Sequence, residues 1–248
     1  MDASQFKQKK LNVAIGAAIL SMGALPMLAQ AGQFSVDGNP TQTQASLTIS
    51  SQTSVNNVTL FGSMVSVTNN GTISDSATAV NYEQNVNGSF DNNGYISASS
   101  SSAFGVDVSG NVLSTGSITV SNGGTISVDG VYEAVGIQID GTVESGGTIT
   151  VQDGGSIDAS ASSSFGVLAA GIVVDDEVSG AITNHGEIKA NAMAGAFVTA
   201  VGILGEDVSG SIENTGDIVA YAYNAGYISA VGIEVDNLTG DITNSGDI

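Results

Sequence analysis

Short runs in which apolar and polar residues alternate fill most of the chain after residue 32. One well-preserved stretch, 180–203, has apolar positions separated by polar or small residues, with corners around Asn184 and Gly186. The apolar positions of that stretch are Ile182, Ile188, Ala190, Ala192, Val201 and Ile203. A period of two is typical of strands that bury one face, and Gly and Asn tolerate the backbone angles of tight corners. The pattern predicts three short strands separated by corners.

The same unit returns about every 30 residues. Segments 180–188, 210–218 and 240–248 all read Gly-x-Ile-x-Asn-x-Gly-x-Ile, and four of its columns can be followed back through seven units. The last apolar column is Ile73, Ile96, Ile126, Ile157, Ile188, Ile218 and Ile248, and the column before the asparagine is Val67, Phe90, Val120, Val151, Ile182, Ile212 and Ile242. A second motif, Ala-x-Gly-Ile/Val, begins at Ala103, Ala134, Ala169, Ala200 and Ala230. Residues that recur at a fixed distance indicate stacked repeats, none of which can bury its apolar face alone.

These columns predict an all-β fold, a right-handed parallel β-helix (β-solenoid) of about seven coils with about 30 residues each. The coils are expected over 62–248, and the chain stops inside a repeat at Ile248, which suggests a fragment of a longer protein. Residues 32–61 fit the repeat poorly and are interpreted as an N-terminal cap or irregular segment that shields the first sheet edge.

A polar column is expected to form a hydrogen-bonded ladder at one corner of the stack. It consists of Asn69, Asn92, Asn122, Asp153, Asn184, Asn214 and Asn244. Equivalent side chains of stacked coils lie about 4.8 Å apart, so their amides can bond along the stack. We interpret this ladder as structural.

The first 31 residues have the pattern of a secretory signal peptide. Lys7, Lys9 and Lys10 precede a mostly apolar stretch, and Ala29 and Ala31 supply the small residues that signal peptidase reads. Cleavage is therefore expected after Ala31. No later segment is apolar enough to span a membrane as a helix.

Composition and charge exclude several classes of function. The chain carries a net charge of −20, and three of its four basic residues lie in the predicted signal peptide, which makes nucleic acid an unsuitable partner. There is no Cys, and His185 is the single histidine, so nucleophilic Cys/His chemistry is excluded and a Ser/His/Asp triad is not expected. Tyr221 and Tyr223 share a face at alternating spacing, where they could stack on a sugar ring or serve only in packing.

Acidic residues recur before a Ser/Thr-Gly step and are the candidate metal ligands. They are Asp175, Asp176, Glu177, Glu206, Asp207 and Asp236. Stacked carboxylates repel one another, and hard cations such as Ca²⁺ prefer carboxylate oxygens. The hypothesis is a divalent-cation edge, with a solvated acidic edge that needs no cofactor as the alternative.

The Gly-x-Ile-x-Asn-x-Gly-x-Ile units and the Ala-x-Gly-Ile motif resemble the passenger regions of Gram-negative autotransporters and related β-helical surface proteins over residues 62–248. The resemblance implies export to the cell surface, the outer membrane or the medium, with a C-terminal β-barrel translocator beyond residue 248. It also implies adhesion to a host cell, a neighbouring cell or a glycan.

The predicted function is an exported structural or adhesive module rather than an enzyme. Two alternatives remain open: a polysaccharide-active β-helix that uses paired carboxylates, and a passive stalk that presents another domain.

Overall fold

The computed structural model describes residues 33–37, 46–61, 66–194 and 196–248. The predicted signal peptide, 1–31, lies outside the described residues. Within them, all regular secondary structure is β-strand, in 21 strands that form two parallel sheets.

Eight strands of four residues each form the first sheet, and each pairs in parallel with the equivalent strand of the next coil. In order along the sheet they are β2 (Ser46–Ile49), β5 (Ser66–Asn69), β8 (Ser89–Asn92), β10 (Ser117–Val120), β12 (Thr148–Val151), β15 (Ala181–Asn184), β18 (Ser211–Asn214) and β21 (Asp241–Asn244).

Thirteen strands form the second sheet, which turns a corner and so supplies the other two faces of the coil. They are β1 (Gln33–Asp37), β3 (Ser54–Val55), β4 (Asn57–Phe61), β6 (Thr72–Asp75), β7 (Thr78–Tyr82), β9 (Tyr95–Val108), β11 (Thr125–Ile139), β13 (Ser156–Ser162), β14 (Gly166–Val178), β16 (Glu187–Met193), β17 (Phe197–Val208), β19 (Asp217–Tyr223) and β20 (Tyr227–Leu238). In most coils two of these strands follow one another, whereas β9 and β11 each cover both faces as one bent strand.

One coil therefore runs β15, β16, β17 and then begins again at β18, and Asn184 pairs with Asn214 in the next coil, 30 residues on. The predicted parallel β-solenoid with about 30 residues per coil is confirmed. The stack has about six turns. Equivalent strands from β8 to β21 follow one another at intervals of about 30 residues. The step before them is shorter, because Ser66 bonds to Ser89 only 23 residues away.

The first strands continue the same architecture. β1 pairs with β4, β2 with β5, β3 with β6 and β4 with β7, all in parallel. The described parts of 32–61 thus extend both sheets and are not irregular, while their role as a cap stays a prediction.

The core is a set of apolar ladders that run through the stack. The isoleucines from Ile73 to Ile218 in the last apolar column are at most 1% exposed. In the first sheet, the paired inward column is Val67, Phe90, Ile118, Ile149, Ile182, Ile212 and Ile242. The prediction that Val120 and Val151 belong to this column is wrong, because Ile118 and Ile149 occupy it.

Each Ala-x-Gly-Ile motif puts a kink in the strand that carries it. In β14, Ala169 and Ile172 pack in the main core, whereas Ala170 and Val173 belong to a separate cluster on the outside. Gly171 also faces inward, since a Cβ added to it would collide with Cγ2 of core residue Ile188. Gly171 and Ile172 are consecutive residues that both face the core, which interrupts the alternation of inward and outward side chains. The outer side of the strand is therefore concave at this point.

Candidate functional site

Asparagine side chains bond between neighbouring coils at the corner that follows the first sheet. Asn69 Nδ2 donates to Asn92 Oδ1 at 2.8 Å, and the bonds from Asn184 to Asn214 and from Asn214 to Asn244 are both 2.7 Å. Oδ1 of Asn69, and likewise that of Asn184, also accepts a hydrogen bond from the backbone N–H two residues further on. These bonds satisfy buried amides and hold the corner.

Two predicted members of the ladder, Asn122 and Asp153, lie elsewhere. Both are exposed, and Val120 and Val151 occupy their places in the register. The corners here are two residues longer, and each turns through a glycine at positive φ, 82° and 75°. The single predicted ladder is wrong at these positions, and the structure has two shorter ladders separated by a valine pair.

Hydrogen-bond donors lie beside carboxylates of the acidic edge. Glu177 pairs in register with Asp207, and Asn237 of the following coil donates to Asp207 Oδ1 at 2.7 Å. Ser209 Oγ donates to the Glu177 carboxylate, and this bond lowers the pKa of Glu177. Donors therefore neutralise part of the repulsion along this edge.

Apart from the register pair of Glu177 and Asp207, the six candidate metal ligands do not form a cluster. Asp176, Glu206 and Asp236 are exposed, and Asp175 turns towards a different group of side chains. No group of three or more Asp, Glu or His side chains in the described residues is placed to hold a metal ion. The predicted divalent-cation edge is therefore not assembled as a site.

Three acidic residues from successive coils, Asp107, Asp140 and Asp175, line the same part of the outer surface. Gln138, which is only 9% exposed, donates to Asp175 at 2.9 Å and to Asp140 at 3.4 Å. Burial raises the pKa of Asp107 to about 6, and repulsion by Asp140 and Glu83 adds to the effect. Burial also raises the pKa of Asp175, against the opposing hydrogen bond from Gln138.

This acidic group lies at one side of an outer groove of about 380 Å³. The apolar lining comes from the kinked strands: Phe104, Leu168, Val173 and Leu204. Buried Val135 and Ala170 lie beneath it. We call this the kink groove.

Aromatic side chains gather at another corner, between the second and third strand of each coil. Six side chains that are 48–69% exposed lie there: Tyr132, Phe165, Phe197, Tyr221, Tyr223 and Tyr227. Among the described residues they are all but one of the exposed aromatics, the exception being Tyr95. The rings of Phe197 and Tyr227, on adjacent coils, have centroids 6.3 Å apart. We call this set the aromatic corner.

A polar groove of about 440 Å³ runs beside the aromatic corner and crosses five successive coils. Its central column is Ser99, Asp129, Ser160 and Asn191, which pair in register and are continued by Tyr221. Tyr223 closes one end of the groove. The groove thus offers hydroxyl, amide and carboxylate groups next to exposed rings.

Sequence spacing correctly put Tyr221 and Tyr223 on one face of β19, and in the structure that face is exposed. It missed Tyr132, Phe165 and Phe197. Tyr132 and Phe165 come from corners of different length, and the column of Phe197 contains one further aromatic residue, Tyr227, in the next coil. The signal that could have found them is an aromatic residue shortly after the second strand in successive coils.

His185 is exposed, and its Nδ1 lies 2.6 Å from Thr215 Oγ1 of the next coil. The contact follows the stacking of two equivalent corner positions. It joins no acid that would orient the imidazole for general-base catalysis.

A scan against models of protein families and searches of curated proteins and of solved structures found no match. In the described residues, no helix is long and apolar enough to cross a membrane. The fold alone therefore defines the class to which the chain belongs, that of parallel β-solenoid repeat proteins.

Proposed function

We propose that this solenoid is an exported structural or adhesive module that presents an extended surface outside a Gram-negative cell. The observation that carries the proposal is the unbroken parallel pairing of eight strands, which makes a stiff rod with long, regular faces. The signal-peptide pattern of 1–31 and the resemblance of the repeats to autotransporter passengers support export.

The side chains of the outer surface are better suited to binding a partner than to catalysing a reaction. Its carboxylates bond to Gln138, Ser209 or Asn237 rather than converging with a histidine, and the grooves are open and shared among several coils. A repeated surface suits multivalent contact with another surface or polymer, since many weak contacts add when they are held in one array. The enzyme and the passive stalk stay as alternatives.

Export is tested by producing the full chain in a Gram-negative host and determining the N-terminus of the exported protein. We expect Gly32 to be the first residue, because Ala29 and Ala31 fit the signal peptidase. Replacing Lys7, Lys9 and Lys10 with Glu should reduce export several-fold. The control Lys189→Glu makes the same type of substitution at the one lysine inside the solenoid and should leave export unchanged.

Retention of the chain in the cytoplasm with Met1 in place would contradict the proposal. Equal export of the triple variant and the unaltered chain would contradict the role assigned to the N-terminal lysines.

A further inference from the structure

We infer that the aromatic corner and its adjoining groove bind a neutral, extended, β-1,4-linked polysaccharide that lies along the solenoid axis. This inference rests on the proposed adhesive function and names the ligand and the site for it. The contacts that carry it are rings, hydroxyls and amides on one edge of the rod.

The rings of the aromatic corner are exposed to solvent, whereas other aromatic side chains of this protein are buried in the core. Tyr82 and Phe90 are at most 3% exposed in the core, whereas Phe165 and Phe197 at the corner are 69% and 66% exposed. Exposing one large ring is ordinary, but Tyr132, Phe165 and Phe197, which belong to coils with a neighbour on both sides, form an unusual row of exposed rings on one edge. Flat rings offer stacking surfaces for the apolar faces of sugars, and tyrosine adds a hydroxyl at its rim.

The groove supplies the polar half of sugar recognition. Ser99, Asp129, Ser160 and Asn191 present donors and acceptors in one row along the axis. Asn191 Nδ2 already donates to Asp158 Oδ1 at 3.3 Å, which orients its amide. Because these residues stand on paired strands, the row is preorganised, and binding costs little conformational entropy.

The spacing favours a linear polymer. Neighbouring coils are about 4.8 Å apart, so equivalent groups repeat at that distance along the groove. One sugar of an extended β-1,4-linked chain spans about the same length. A polymer can therefore present one sugar to each of the five coils that line the groove.

Charge selects against anionic glycans. The net charge is −20, Asp129 lies in the groove itself, and the nearby Lys189 is paired with Glu187 at 2.6 Å. A polymer of uronic acids would therefore be repelled from this edge. The partner of best fit is uncharged.

The test uses the purified full chain with cellohexaose and hexa-N-acetylchitohexaose as neutral probes and β-1,4-linked hexaglucuronate as the anionic one, measured by isothermal titration calorimetry. We expect at least one neutral hexasaccharide to bind and hexaglucuronate not to bind. Tyr223→Ala and Phe197→Ala should each weaken binding about 3- to 10-fold, the range expected for loss of one stacking contact.

Tyr95→Ala is the matched control, since Tyr95 is also exposed but lies at a different corner. It should leave the affinity unchanged, and Tyr223→Phe should retain most of it. Melting curves of all the variants should match that of the unaltered chain, because the replaced side chains face solvent.

Failure of both neutral probes to bind would overturn the inference, as would equal binding of hexaglucuronate. Binding that survives both corner variants would place the glycan elsewhere and overturn the assigned site. Dimerisation through the corner without glycan binding would show that a second copy is its partner and would also overturn it. Each of these outcomes is compatible with normal export, so the proposed function is tested separately.

Discussion

In this solenoid, the side chains of the next coil determine where only a small residue fits. Gly171 lies where a Cβ would meet Cγ2 of Ile188 and come within 2.5 Å of the Gly202 carbonyl oxygen. Gly136 and Gly202 stand in equivalent positions against the isoleucines of their own neighbouring coils. The glycine of Ala-x-Gly-Ile is therefore a packing requirement, because the isoleucine ladder fills the space beside it.

Gly171→Ala is expected to lower the free energy of unfolding by about 1–3 kcal/mol, since overpacking forces a shift of the Ile188 ladder or of the backbone. The measurement is the urea midpoint followed by circular dichroism. Gly166→Ala is the matched control, because its Cβ would make only ordinary contacts of 3.6 and 3.8 Å with Phe197. Equal effects of the two substitutions would contradict this explanation.

At the scale of the strand and its corner, the length of the corner decides which side chains enter the core. Short corners turn at a buried asparagine that bonds to its neighbours, as at Asn184. At the two longer corners, Asn122 and Asp153 lie in solvent, and valines pair in register with the buried asparagines of the neighbouring coils. The same local sequence, Asn or Asp two residues before Gly, thus has two structural outcomes.

Asn184→Ala should destabilise the protein by about 1–3 kcal/mol, because it leaves the partners of a buried amide without their hydrogen bonds. Asn122→Ala removes the same side chain from an exposed corner and should change stability by less than about 0.5 kcal/mol. Thermal unfolding monitored by circular dichroism distinguishes the two. A large loss for Asn122→Ala would show that the ladder continues through that coil.

For the whole molecule, repulsion between like charges is the main destabilising effect of stacking. Coils that repeat an acidic residue place carboxylates side by side. The chain has a net charge of −20, so few basic side chains are present to offset this repulsion. Asp107 faces Glu83 on the preceding coil and Asp140 on the following one, with Asp175 beyond it. Asn81, which pairs in register with Asp107, has an Oδ1 that is buried without a hydrogen-bond partner among the described residues. A protonated Asp107 could donate to that atom.

Stability should consequently rise as the pH falls from about 7 to 4. The pKa of Asp107 is about 6 in the folded protein against an ordinary value of 3.8, so the folded state binds this proton more tightly. The stabilisation is present below pH 4 and is lost as the pH rises through 6. Because the carboxyl is partly exposed, we expect about 1 kcal/mol, less than the full shift would give.

Asp107→Asn should raise the melting temperature at pH 7 and have little effect at pH 4, since the amide mimics the protonated acid. Asp236→Asn removes the same charge from an exposed position and serves as the control. Melting curves at both pH values provide the measurement, and an equal response of the two variants would refute the specific role of Asp107.

The sequence by itself determined the repeat, the strand alternation, the isoleucine ladder and the shared face of Tyr221 and Tyr223. Stacking makes equivalent residues neighbours, so every coil must satisfy the same packing and the pattern becomes visible along the chain. Only the tertiary structure decided which residues share a groove. Asp107, Asp140 and Asp175 line one groove although Asp107 stands two positions earlier in its repeat than the other two. Phe165 lies at the same edge as Phe197 and Tyr227 although its corner has a different length. Sequence periodicity cannot show these, because one extra corner residue changes the direction of a side chain without changing the motif.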